Sequence, residues 1–160
     1  MKRFLDAYYR LLQVLITLLM GLLIVPVFLQ IVSRHIGLIP RYIWTEEIAR
    51  FCFIWIILIG AMIAVRDGSH FAVDLLPDAK SNRGEAVRRL FVDFMVFLVA
   101  MIFIVWGWPL VQFGLLQTSE ISELPMVTIY IAWPLAGVTW ILFLGENTVE
   151  NIKVLRGPKE

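Results

Sequence analysis

The sequence predicts an all-α integral membrane protein with four transmembrane helices, both termini cytoplasmic, and a short interfacial helix between helices two and three. Three observations predict it. Of the 160 residues 60% are hydrophobic and 17% charged, with a mean hydropathy of +0.82, which excludes an ordinary soluble domain. Apolar runs of spanning length occur at 11–32, 46–65, 90–117 and 125–145. An even number of spans puts both ends and the central loop on one side. The stretch through Arg10, the loop from Arg66 to Arg89 and the tail from Lys153 hold 11 of the 14 basic residues, so that side is expected to be the cytoplasm. No linker or internal repeat divides the chain, and residues 1–160 read as one small membrane domain.

The first span follows Lys2, Arg3 and Arg10, as a secretory signal would. It is about 22 residues long and lacks a small-x-small cleavage site, so it reads as a retained anchor. Gln13, Thr17 and Gly21 share a stripe, and Gln30 and Ser33 lie near the outer end. All are expected to form hydrogen bonds or close contacts between helices, with a polar solute pathway as the alternative.

The second span opens on Trp44-Thr45-Glu46-Glu47-Ile48-Ala49-Arg50. The uncharged run from Phe51 to Val65 covers only about 22 Å at 1.5 Å per residue, against a hydrocarbon core of about 30 Å. The charges are therefore expected at or inside the membrane edge, where they need partners. At about 100° per residue, Glu46, Arg50, Phe53, Ile57, Gly60 and Ala64 share one face. Gly60 and Ala64 form a small-xxx-small pair suited to close helix approach. Such a face contacts either a separate subunit or a neighbour within the bundle. Glu46 and Glu47 precede Arg50 by four and three residues, the favourable order for helix ion pairs. One carboxylate neutralises the arginine. Glu47 is then left to headgroups and water, to a donor on a partner, or to proton coupling. Cys52 is the only cysteine and is expected to pack.

In the central loop Asp67-Gly68 signals a turn, Ser69 caps a short surface helix from His70 to Leu76, and Pro77 stops it. Asn82 and Glu85 form a capping box opening the third helix. On that helix Asp93, Ala100, Gly107 and Gly114 recur every seven residues as a nearly straight seam. Asp93 is expected to pair with Arg89. Pro109 predicts a bend beside Trp106 and Trp108, which serve as an interfacial aromatic belt. Further kinks are expected at Pro26 and Pro134. The connection 118–124 contains Glu120 and Glu123 and no Lys or Arg, which puts it outside.

Catalytic chemistry is absent from this pattern. His35 and His70 fall at opposite membrane edges and cannot share a haem. Asp67, Asp74 and Asp78 are spread through a turn and loop, a poor magnesium set. No nucleophile elbow, HExxH, P-loop or dinucleotide fingerprint occurs. The expectation is a non-enzyme with no cofactor, no metal and no nucleic-acid partner.

Two segments carry a family likeness. The outer motif from Trp44 to Arg50, the run to Gly60-Ala61, and Val65-Arg66-Asp67-Gly68-Ser69-His70-Phe71-Ala72-Val73-Asp74 closely resemble the second helix and following loop of the small permease subunit of TRAP transporters, the DctQ-like family. The length and four-span plan agree. The resemblance implies a tripartite, ATP-independent, sodium-coupled system in a bacterial or archaeal cytoplasmic membrane. A large permease would carry substrate and sodium by an elevator motion, an extracytoplasmic binding protein would deliver organic acids such as C4-dicarboxylates or sialic acids, and this subunit would be the fixed scaffold. On that reading Glu46, Glu47, Arg50, Gly60 and Ala64, together with parts of helices one and four, face or support the large subunit, and Arg66, His70 and Asp74 organise the inner interface with lipid headgroups. The alternatives are an independent four-helix exporter and a membrane subunit of a respiratory complex.

Overall fold

The computed structural model describes residues 2–36, 43–67 and 82–156, with side chains at 3–35, 43–67 and 90–148. They form α1 (Lys2–Ile36), α2 (Ile43–Asp67), α3 (Asn82–Leu115), the single turn α4 (Val127–Tyr130) and α5 (Ala132–Arg156). Four stretches are long and apolar enough to cross a membrane: Arg3–His35, Ile43–Asp67, Leu90–Leu115 and Val127–Thr148. The predicted surface helix from His70 to Leu76 lies outside the described residues, and so do the side chains of the Asn82/Glu85 cap and of Arg89.

The second helix runs beyond the uncharged stretch at both ends. It begins at Ile43, so the whole charged motif is helical and the element has 25 residues, roughly 37 Å at 1.5 Å per residue. It is long enough to span. Its outer-motif charges sit in the opening turns.

Helix order follows from small residues. α3 packs on α5, α5 on α2, and α2 on α1. Along the α3 seam, Ala100 is fully buried. A Cβ on Gly107 would stand 3.0 Å from Pro134 Cδ, and one on Gly114 would stand 2.6 Å from Tyr130 Cδ2. Across the same contact, a Cβ on Gly137 would stand 2.7 Å from the Ala100 carbonyl oxygen. Lipid supplies no hydrophobic drive between helices, so close backbone approach and dispersion hold this pair. From Ala100 to Gly114 the predicted seam is thus the face that α3 turns to α5 and, at Gly114, to α4. Phe103 fills the space beside it, with ring centroids 5.1 Å from Trp133 and 4.9 Å from Trp140.

The prolines act differently from one another. α1 and α3 run on through Pro26 and Pro109. The fourth span is interrupted at Ile131, three residues before Pro134, which has no N–H to donate to the Tyr130 carbonyl four residues back. Trp106 and Trp108 are exposed, the disposition an interfacial belt requires.

Candidate functional site

α2 carries two unlike faces. Glu46, Arg50, Phe53 and Ile57 are all exposed, and the Arg50 guanidinium lies 3.6 Å from Glu46. On the opposite face Thr45, Glu47, Cys52, Leu58, Ile59, Met62 and Val65 are buried. The predicted charged stripe is therefore turned away from the chain's own core. Its lower end is shared, because Gly60 and Ala64 are half-buried and a Cβ on Gly60 would touch Ile16 of α1 at 3.5 Å.

Glu47 has a partner that the sequence did not disclose. Its Oε2 accepts the backbone N–H of Ser122 at 2.9 Å. Ser122 lies in the 116–126 hairpin, closed by the Thr118–Pro125 bridge and by Ser119 N–H and Met126 N–H donating to Leu124 and Gln117 carbonyls. At its bend Glu123 adopts φ 53°, a left-handed conformation uncommon outside glycine. A buried carboxylate thus fixes a strained turn to the mouth of α2. No side-chain signal in the sequence marks Ser122, because its donor is a main-chain amide. Trp55 makes a second tie at this end, donating its indole N–H to the Thr128 carbonyl at 3.0 Å. A third joins the Gln30 amide to Thr45 Oγ1 at 3.4 Å, which bears out Gln30 as an interhelical position.

Among the described residues, Gln13, Thr17 and Gly21 do not meet another helix. All three are exposed, Thr17 bonds back to the Gln13 carbonyl of its own helix, and nothing lies within 4 Å of a Cβ on Gly21. The stripe was expected to join helices, and α1 instead turns its other side to α2, burying Leu5 and Leu12.

Arg66 gathers the opposite end of the bundle. Its side chain is only 16% exposed. The guanidinium bonds the Leu5 carbonyl and the Asp6 carboxylate of α1, lies 3.8 Å from Glu146 of α5, and sits over the rings of Tyr9 and Phe143. Around it Tyr9 donates to Asp67 at 2.7 Å, Tyr8 shares a hydrogen bond with Thr139 at 2.9 Å, and the Asn147 amide reaches the Val65 carbonyl at 3.4 Å. Arg66 thus holds α1, α2 and α5 together. The sequence placed this residue in the loop with His70 and Asp74, and those two lie outside the described residues.

The arrangement contains an uncovered charged face on α2, a braced hairpin and a tied base. It does not resemble a reaction centre. Residues 23–154 match the family of tripartite ATP-independent periplasmic transporters, DctQ component. A Haemophilus influenzae protein named as a putative TRAP transporter small permease protein is 30% identical over 141 residues, covering 88% of this chain and 87% of the relative. Two longer proteins match as well. The isethionate TRAP transporter permease protein DctMQ of Oleidesulfovibrio alaskensis is 30% identical over 67% of this chain and 18% of its own length. The sialic acid TRAP transporter permease protein SiaT of Haemophilus influenzae is 32% identical over 49% of this chain and 12% of its own. The chain belongs to the DctQ family of TRAP transporter small permeases, and is therefore a multi-pass inner-membrane transporter subunit and not an enzyme.

Proposed function

We propose that the chain is the fixed membrane scaffold of a sodium-coupled, binding-protein-dependent importer of organic acids, holding a large TRAP permease and binding no substrate itself. The exposed α2 face carries this reading. An ion pair with Phe53 and Ile57 beneath it is costly beside hydrocarbon and well matched to another protein surface. The opposite face is fastened to α1, α5 and the hairpin, so the helix is held from behind.

The relatives support the large partner. Matching only 18% of DctMQ and 12% of SiaT, the chain corresponds to a small part of much longer permeases, so a separate small chain would join the remainder without a covalent link. Isethionate and sialic acid, named in those two proteins, are organic acids, the substrate class proposed here. No Asp, Glu, Lys or Arg falls between Arg10 and Arg34, Arg50 and Arg66, or Asp93 and Glu120. Ion coupling is accordingly assigned to the large permease. Both termini are taken as cytoplasmic, the hairpin with Glu120 and Glu123 as facing the binding protein, and His70 and Asp74 as meeting headgroups near Arg66.

Tagged full-length chain, co-expressed with the large permease and solubilised in mild detergent, should bring that permease down. Proteoliposomes should take up organic acid on a sodium gradient only when permease and binding protein are both supplied. Uptake by this chain alone would favour the exporter instead, and bound haem would favour the respiratory subunit.

A further inference from the structure

We propose that the base of α1 binds an anionic phospholipid, with a phosphate between Arg3 and Arg10 over Ala7 and an acyl chain along Val14 and Leu18. At 100° per residue these five positions fall on one side of the helix, opposite the buried Leu5 and Leu12. All five are exposed, Val14 at 56% and Leu18 at 65%. Ala7 lies between the two arginines, about 6 Å along the axis from Arg3 and about 4.5 Å from Arg10, and its methyl leaves a shallow gap. The N-terminal tilt of helical side chains favours Arg10 reaching back over that gap, while Arg3 must turn forward to meet it.

The charge there is not cancelled from within. Asp6 is the one acid in the first ten residues, and its carboxylate is engaged by Arg66. Among the described residues, no acidic group pairs with Arg3 or Arg10. Two arginines beside an apolar strip of spanning-helix surface match a headgroup with its tail attached. A free phosphate would make no use of Val14 and Leu18. The site is separate from the α2 face and does not depend on the scaffold reading.

The test is native mass spectrometry of delipidated full-length chain offered phosphatidylglycerol or phosphatidylcholine. Phosphatidylglycerol should be retained in preference, by about fivefold for each arginine and roughly 25-fold for the pair. R3Q/R10Q should lose that preference, while R34Q at the other end of α1 keeps it. An excess of inorganic phosphate should not displace the lipid. Equal retention of the two lipids, or an unchanged preference in R3Q/R10Q, would overturn the proposal, as would displacement by phosphate. A photo-crosslinker attached through Ala7→Cys should label lipid in membranes, and labelling of a protein helix would also overturn it.

Discussion

Arg50 and Arg66 stand near the two ends of the same helix and do opposite work. Arg50 is 66% exposed and pairs at 3.6 Å with Glu46, one turn away on its own helix. Arg66 is 16% exposed and touches two other helices through a carbonyl, two carboxylates and two rings. An exposed i,i+4 pair contributes a few tenths of a kcal/mol. A largely buried cation whose acids would be stranded by its removal matters several-fold more. Interior ties are thus concentrated at the Arg66 end, and the exposed charge at the Arg50 end is the one proposed to meet a partner.

The comparison is broken or sharpened by substitution. Arg66→Ala strands Glu146 and removes the tie between α1, α2 and α5, so it should cost about 3 kcal/mol. A denaturant titration in mixed micelles measures this. If Arg66→Ala costs no more than Arg50→Ala, the division of labour fails. Gly137→Ala comes next, at about 2 kcal/mol, because its Cβ would press on the Ala100 carbonyl oxygen at 2.7 Å and helices α3 and α5 must part. Gly21→Ala, with open space around it, should leave the same unfolding midpoint unchanged. Glu47→Ala frees the Ser122 amide and should cost about 1–2 kcal/mol. Hydrogen exchange at Ser122 should speed up, and Glu47→Gln, which keeps an acceptor oxygen, should restore most of the protection. Arg50→Ala should change stability least, by under about 1 kcal/mol. It should nevertheless reduce recovery of the large permease in co-purification, and unchanged recovery together with unchanged uptake would refute the α2 face as the contact.

Glu47 and Glu46 mark how far the sequence could be read. Periodicity correctly put Glu46 and Arg50 on one face with Phe53 and Ile57, because helical phase depends only on local geometry. It could not decide whether that face pointed inward, since α2 is apolar nearly all round below Arg50. Glu47 was one residue off the stripe and had no visible partner. The structure supplies the Ser122 amide, 75 residues away in sequence, where a hairpin returns to the mouth of α2. The α3 seam of Ala100, Gly107 and Gly114 was legible from spacing, but its mates on α4 and α5 were not. Small residues record that a close approach occurs and leave its partner unnamed. The partners of Arg66 were hidden for the same reason, as its acids come from Asp6 and Glu146.

The sequence by itself determined the four spans, their approximate limits, the charged opening of α2 and the family. Hydropathy over about 20 residues and a motif of local spacing are properties of contiguous chain. Tertiary structure decided which face of α2 is left open, what Glu47 holds and how Arg66 is neutralised. In lipid, helices are sorted by backbone approach and by single polar contacts between residues far apart in sequence. Such pairings exist only once the helices have been set side by side.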